Sequence, residues 1–296
     1  MLGSKRKAQI TPPLAAVLSV LTLGAAASAG CGGSKARPMP PPLAKKSDQI
    51  KVLTYNVNWG GASMVRAVSI LARSRADIVA LQETTPAWER FLKPRLERAY
   101  PHQRYLTSPG AGGMAFLSKH PLKDFRRIDP PKGGWFPGWS VLAQTPAGHI
   151  RVLNVHLRPP LQANGGMSTV ASAYFATKPI RKRQLEKYVI QLPKEPDIPL
   201  IVMGDFNESE SGRALRWAKK RGLENALVKF DSSTPTWRWP TSVYTFTSRL
   251  DHILHTKELR CTAAQVLGDG GSDHRPVEAV FTASPKKPPL RNRSSR

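Results

Sequence analysis

Cysteine, acid and long apolar runs are all scarce in this chain, and each shortage narrows the possibilities. The only cysteines are Cys31 and Cys261, so at most one disulfide can form and a disulfide-stapled scaffold is excluded. No cysteine or multi-histidine cluster has the spacing of a soft-metal site. Asp and Glu number 20 against 45 Lys and Arg, which gives a formal net charge of +25 at pH 7. The excess persists through the body of the chain, so it is not a property of the ends alone. A surface of that sign favours polyanions such as nucleic acid or anionic headgroups. The one sustained apolar run, Leu14 to Ala29, is shorter than the roughly 20 residues of a membrane span. No internal repeat of fixed period is present.

That run follows Lys5, Arg6 and Lys7 and ends in small residues, the layout of an export signal. Ala27-Ser28-Ala29 suits an ordinary signal peptidase. Ala29-Gly30-Cys31, followed by Gly32-Gly33-Ser34, looks like a bacterial lipobox and tether. The expectation is a signal peptide over 1–30 and a lipid-modified Cys31, hence a cell-envelope lipoprotein, with free secretion as the alternative. Cys261 then has no partner in the chain and reads as a small residue in a strand. Pro38, Pro40, Pro41 and Pro42 mark 31–48 as an extended linker. One domain is expected over 49–284, and a basic, Pro-rich tail over 285–296.

Within the domain, apolar runs predict strands at Ile50–Val57, Ile78–Leu81, Gly113–Ser118, Val141–Gln144 and Ile150–His156. Further strands are expected at Leu200–Met203, Tyr244–Thr247, Leu250–His255 and Val277–Thr282. Helical spacing predicts Ser63–Arg73, Pro86–Arg98, Pro179–Gln191 and Ser211–Arg221, the last capped by Gly222. Pro159–Thr177 reads as an irregular excursion.

The stretch that organises the chain is Pro199 to Asn207. Leu200–Met203 is a buried run that Gly204 breaks, and Asp205 and Asn207, two residues apart, emerge on one side of the extended chain. A carboxylate beside an amide can orient or deprotonate a water and steady a developing charge. Asn56, Glu83 and His156 likewise end apolar strands, Asp251 opens one, and Asp273-His274 precede the last. Any one of these is commonplace. Together they predict carboxylates, amides and imidazoles converging on one rim.

In chain order these segments are Thr54-Tyr55-Asn56, Leu81-Gln82-Glu83, Gly113 to Ser118, Asn154-Val155-His156-Leu157, Gly204-Asp205-Phe206-Asn207, Leu250-Asp251-His252-Ile253 and Ser272-Asp273-His274-Arg275-Pro276. The set resembles the endonuclease/exonuclease/phosphatase family. The resemblance implies an α/β (α+β) four-layer sandwich, two mixed β-sheets face to face with helices outside. It also implies Mg²⁺-dependent cleavage of phosphate esters, with Mn²⁺ able to substitute. Glu83 resembles the main metal-ligating carboxylate, with Asn56 beside it and Asp273 as a further metal-associated carboxylate. Asp205 resembles the group that orients or deprotonates the attacking water, and Asn207 its partner. His274 resembles the imidazole at the scissile phosphate, held by Asp251. His156 matches the histidine that stabilises the phosphate or protonates the leaving oxygen.

The expected protein is therefore a monomeric phosphodiesterase acting on nucleic acid. A phospholipid or sphingomyelin headgroup, a phosphomonoester, and a non-catalytic polyanion-binding lipoprotein are the alternatives. Asp251-His252-x-x-His255 imitates a zinc pair, but a strand turns His252 away from Asp251 and His255. Trp59, Trp135, Trp139, Trp237 and Trp239 are expected in loops, and Gly133 to Trp139 as a substrate loop.

Overall fold

Segments apolar at every position become strands covered on both faces, and those strands set the architecture. The structure is a computed structural model, and the residues it describes are 49–61, 63–160, 170–240 and 244–284. The expected signal peptide (1–30), the expected lipid-modified Cys31, the expected linker (31–48) and the expected tail (285–296) lie outside the described residues, as does 161–169 of the expected excursion. In chain order come β1 (Gln49–Asn56), α1 (Met64–Ser74), β2 (Ile78–Gln82), α2 (Pro86–Leu96), β3 (His102–Leu106), β4 (Met114–Ser118) and β5 (Leu122–Ile128). Next are β6 (Gly138–Thr145), β7 (Gly148–His156), α3 (Val170–Ile190), β8 (Leu200–Asp205) and α4 (Arg213–Lys220). The chain continues through β9 (Glu224–Asn225), α5 (Ala226–Phe230), β10 (Trp237–Pro240) and β11 (Thr245–Ser248). It closes with β12 (Asp251–His255), β13 (Leu259–Val266) and β14 (Val277–Ala283).

Two six-stranded sheets result, ordered β13-β14-β1-β2-β4-β3 and β5-β6-β7-β8-β12-β9, with β10 and β11 as a separate ribbon. Both are mixed: β1–β2 and β7–β8 are parallel, and the other pairs are antiparallel. Alternation along each strand decides what faces what. Ile50, Val52, Ile78 and Ala80 point inward against Val152, Ile201, Met203 and Ile253 of the other sheet. Leu53, Tyr55, Val79 and Leu81 point outward onto Leu71, Trp88 and Leu92 of α1 and α2. Leu153, Val155, Val202 and Leu254 pack on Leu185, Tyr188, Ala214 and Trp217 of α3 and α4. These are the four layers expected. Each buried Val, Leu, Ile or Met among them contributes about 1.5–3 kcal/mol.

The same alternation places the chemistry. Continuing the inward series of each strand gives Thr54 and Asn56 on β1, Gln82 on β2, Asn154 and His156 on β7, and Asp205 on β8. On β12 the inward series is Asp251, Ile253 and His255. The apolar core thus turns polar at one end. Register aligns the rim, because His156 pairs with Asp205, and Asp205 with Asp251.

Several boundaries differ from expectation. Gly204 does not break β8, which runs through to Asp205. Its φ of +150° and the Val155 carbonyl, 1.9 Å from where a Cβ would sit, require glycine there. Helix α3 begins at Val170, so 170–177 is helical and Pro179 lies inside the helix. Trp139 is buried on β6 with its ring 5.1 Å from Phe116, and Trp237 and Trp239 lie on β10, so these three are not loop residues. Cys261 lies in β13 as expected, its thiol donating to the Ala263 carbonyl at 3.3 Å. Among the described residues no helix is long and apolar enough to cross a membrane.

Candidate active site

Beneath the rim a buried hydrogen-bond network joins the two sheets. Gln82 Nε2 donates to Asn154 Oδ1 at 2.7 Å and to Thr54 Oγ1 at 3.0 Å, and Asn154 Nδ2 donates to the Leu81 carbonyl at 2.9 Å. Directly above, Asn56 Nδ2 donates to Glu83 Oε1 at 2.9 Å and to Asp205 Oδ2 at 3.1 Å. One amide therefore ties a carboxylate of the first sheet to a carboxylate of the second.

Asp205 is the centre of the cluster. Its Oδ2 lies 3.5 Å from His156 Nε2 and 3.7 Å from His274 Nε2. His274 Nδ1 donates to Asp251 Oδ2 at 2.8 Å. Burial lowers the basicity of His274, but the Asp251 and Asp205 carboxylates outweigh it and push its pKa up to about 10. Burial, reinforced by Asp251, pushes Asp205 up to about 6. At neutral pH the arrangement is an imidazolium held between two carboxylates.

His156 is different. Its Nδ1 donates to the Ala111 carbonyl at 3.2 Å, which fixes the neutral tautomer with a bare Nε2 facing Asp205. Burial lowers its pKa, and Phe136 stacks on the ring at 4.2 Å between centroids. The bare nitrogen is ready to accept a proton rather than give one.

Among the described residues, three of the five non-glycine residues with positive φ are here: Asn58 (57°), Glu83 (64°) and Asn207 (49°). A left-handed glutamate costs about 1–2 kcal/mol, so the surroundings must hold Glu83 in place. Thr84 N–H donates to the Gly113 carbonyl at 3.2 Å, and Trp59 N–H to Glu83 Oε2 at 3.1 Å. Asn207 comes to Asp205 through a tight turn and not through strand alternation. Its N–H donates to Asp205 Oδ1 at 2.8 Å, and its Nδ2 to the Leu157 carbonyl at 3.0 Å.

Asp273 stands at the edge, within electrostatic reach of Glu83 and His274. Its oxygens take hydrogen bonds from Asn58 Nδ2 at 2.8 Å and Trp237 Nε1 at 3.1 Å. All eight expected residues therefore lie in or beside one cluster. The sequence reading missed Asn58 and Thr236, and it placed Phe136 only within the expected substrate loop Gly133 to Trp139. Thr236 donates to Asp251 Oδ2 at 2.6 Å, and nothing in the surrounding Thr234-Pro235-Thr236-Trp237 marks it as part of a site.

The donor set fits a hard cation. Glu83, Asp205, Asp251 and Asp273 face two imidazoles, and among the described residues no Lys or Arg pairs with any of them. Burial pushes the Glu83 carboxyl above its ordinary range, which a bound cation would reverse. For Asn56 to offer its oxygen as a ligand the amide must turn, since Nδ2 is the atom that now faces Glu83 and Asp205, while Oδ1 faces the Asn58 N–H. Asp205, Asp251 and His274 also place one donor atom each within 4.8 Å of one another. The 2.8 Å Asp251–His274 contact is of hydrogen-bond length, which suits that group to proton handling and leaves Glu83 and its neighbours as residues that could hold a cation. His252 and His255 form no metal pair: His252 bonds the Glu208 carbonyl and Asn225, and His255 the Thr256 carbonyl.

A sequence model of the endonuclease/exonuclease/phosphatase family matches residues 53–274. No curated protein matches the sequence. Among solved structures, an endonuclease/exonuclease/phosphatase from Beutenbergia cavernae is similar, with a TM-score of 0.63 and 18% identity, over 80% of this chain and 72% of that one. D. rerio TDP2 complexed with single strand DNA product gives 0.61 and 19%, over 79% and 99% of the two chains. TDP2 from C. elegans gives 0.60 and 17%, over 79% and 75%. At these identities the likeness is one of fold.

Proposed function

The chain belongs to the endonuclease/exonuclease/phosphatase family, and from that premise we propose that it is an exported, Mg²⁺-dependent phosphodiesterase acting on nucleic acid. The observation that carries the reading is the rim itself: carboxylates without a Lys or Arg partner among the described residues, beside His274, whose pKa Asp251 and Asp205 raise, and His156, whose pKa burial lowers. In this reading Glu83 holds the cation, with Asn56 and Asp273 beside it. When bound, Mg²⁺ neutralises phosphate oxygens and makes a coordinated water more acidic.

The remaining steps belong to the chain's own groups. Asp205, fixed by Asn56 and Asn207, orients the attacking water and accepts its proton. His274, charged and braced by Asp251, faces the phosphate and offsets charge as the pentavalent state forms. His156 starts neutral. Substrate charge raises its basicity, so on substrate binding it takes up a proton from solvent at Nε2 and can then pass that proton to the leaving oxygen.

Nucleic acid is favoured by the net charge of +25 and by the single strand DNA product in the D. rerio TDP2 structure. A lipid phosphodiester is the second reading. It is favoured by the exposed Trp59, Trp239, Tyr244 and Phe246. Purified protein with Mg²⁺ should be assayed on plasmid DNA, RNA, sphingomyelin, bis-p-nitrophenyl phosphate and inositol phosphates. Turnover of DNA or RNA is the expected outcome, and preference for a phosphomonoester contradicts the reading. Export and anchoring rest on the sequence around Cys31. Mass spectrometry of the native protein should find a diacylglycerol-modified Cys31, whereas a mature form starting at Gly30 means ordinary secretion.

A further inference from the structure

Thr236 is fully buried just before β10, and its hydroxyl has no freedom left. A hydroxyl carries one hydrogen and two lone pairs. Thr236 Oγ1 accepts the backbone N–H groups of Leu250 and Asp251, each at 3.0 Å. Its hydrogen has one remaining direction, and Asp251 Oδ2 lies there at 2.6 Å. The same carboxylate oxygen accepts His274 Nδ1–H at 2.8 Å, while Oδ1 of Asp251 is buried without a partner. Two donors on one oxygen decide which edge of the carboxylate meets the imidazole. Turning the carboxylate breaks both bonds.

The backbone of Thr236 is held on both sides as well. Its N–H donates to the Ser248 carbonyl at 3.0 Å, and its carbonyl accepts Arg275 N–H at 2.6 Å, one residue beyond His274. Arg238 N–H donates to the Asp273 carbonyl at 3.0 Å. The β10–β11 ribbon is thereby stitched to the His274 segment on either side of the histidine.

We propose that Thr236 is a positioning residue: it locks the Asp251 carboxylate, and through it aims the His274 imidazole at Asp205. It touches no substrate in this scheme. The kinetic consequence rests on the proposed function, whereas the state of the Asp251–His274 hydrogen bond does not.

The test compares Thr236→Val, Thr236→Ser, Asp251→Asn and the double variant Thr236→Val/Asp251→Asn on bis-p-nitrophenyl phosphate. Removing the partner that orients a site residue typically costs about 10–100-fold in activity. That loss is expected in kcat for Thr236→Val with KM unchanged, and Thr236→Ser should stay close to wild type. The double variant should be no slower than Asp251→Asn alone, because both changes act on one element. Multiplying losses, or a normal kcat for Thr236→Val, overturns the proposal.

Valine also leaves two N–H groups without an acceptor. If Thr236→Val does not fold, Thr236→Cys, with its weak S–H donor and weak acceptor, replaces it. The second readout is the downfield NMR resonance of the His274 Nδ1 proton. It should shift or broaden in the Val or Cys variant and stay fixed in a Thr247→Val control. An unchanged resonance in the Thr236 variants overturns the proposal even if the wild type turns over none of the substrates, the result that would defeat the functional reading instead.

Discussion

Strand β7 carries a buried titratable group near each end, and the two are held in opposite ways. Near its start, Arg151 is buried, yet its guanidinium meets both Glu195 oxygens at 2.9 Å and Asp124 Oδ2 at 2.8 Å. One cation faces two carboxylates that reach solvent, so charge is compensated and every partner is hydrogen-bonded. At its end, His156 faces buried Asp205 and half-buried Glu83, two carboxylates with no guanidinium or ammonium paired to them among the described residues. The first arrangement is how a fold tolerates buried charge. The second leaves negative charge under-neutralised, and that imbalance is the ground on which we propose a cation and an anionic ester there. Function is read from the imbalance.

The sharpest way to break this contrast is Asp205→Asn, which keeps shape and removes the group that accepts the water's proton. Loss of a general base typically costs about 10²–10⁴ in rate, and here the fall should appear in kcat with KM little changed. A near-normal kcat on the best substrate would mean that the Asp205–Asn207 turn is only a strand terminus.

Asp251→Asn should give a smaller fall and move a limb of the pH profile. His274 is lifted to about 10 by Asp251 and Asp205 against the effect of burial. Activity that needs the imidazolium should therefore persist to about pH 10 in the wild type and fail at lower pH in the variant. Stability follows the same sign. A raised imidazole pKa stabilises fully below its ordinary value of 6.5, and that contribution is lost as pH rises towards about 10. Acid-side loss of activity should follow protonation of Asp205, whose metal-free pKa is about 6.

Opposite stability effects at the two ends of β7 come next in size. Arg151→Met should lower stability by about 2 kcal/mol, less than the roughly 3–5 of a fully buried pair because its carboxylates are partly exposed. Glu83→Gln, measured by denaturation in EDTA, should instead raise stability by about 0.5–2 kcal/mol, as expected where a site is built against stability. Destabilisation by both changes would erase the distinction. The smallest effect concerns capture. If the substrate is nucleic acid, Arg238→Gln with Arg275→Gln should raise KM and weaken its salt dependence. The logarithmic slope against salt should fall by about 0.9 for each phosphate no longer neutralised. A zwitterionic lipid substrate should show little salt dependence at all.

The parts legible in the sequence were those with one dominant signal. The apolar runs of β1, β2 and β8 leave no other reading, and their polar ends announced Asn56, Glu83 and Asp205. Edge strands gave no such signal. In β5 only Leu122 and Ile128 are buried while Lys123 to Arg127 face solvent, so the pattern resembles a loop. Pro179 pulled the expected start of α3 forward, because proline is at ease in a first turn. Trp139 looked like a loop aromatic among glycines, yet Gly138 lies on β6 against Tyr188, where a Cβ would meet the ring at 2.7 Å. Thr236 was silent because its importance lies in three hydrogen bonds to groups 14 and 15 residues away. Contacts of that kind exist only after folding.

We infer that the under-neutralised rim binds a hard divalent cation and uses it on phosphodiesters. Hydrolysis of bis-p-nitrophenyl phosphate should be followed before and after exhaustive chelation, then with Mg²⁺ added back, for the wild type and Glu83→Gln. Chelation should abolish wild-type turnover, Mg²⁺ should restore it, and Glu83→Gln should need far more Mg²⁺ for any recovery. Full turnover by the chelated wild-type protein would contradict that inference.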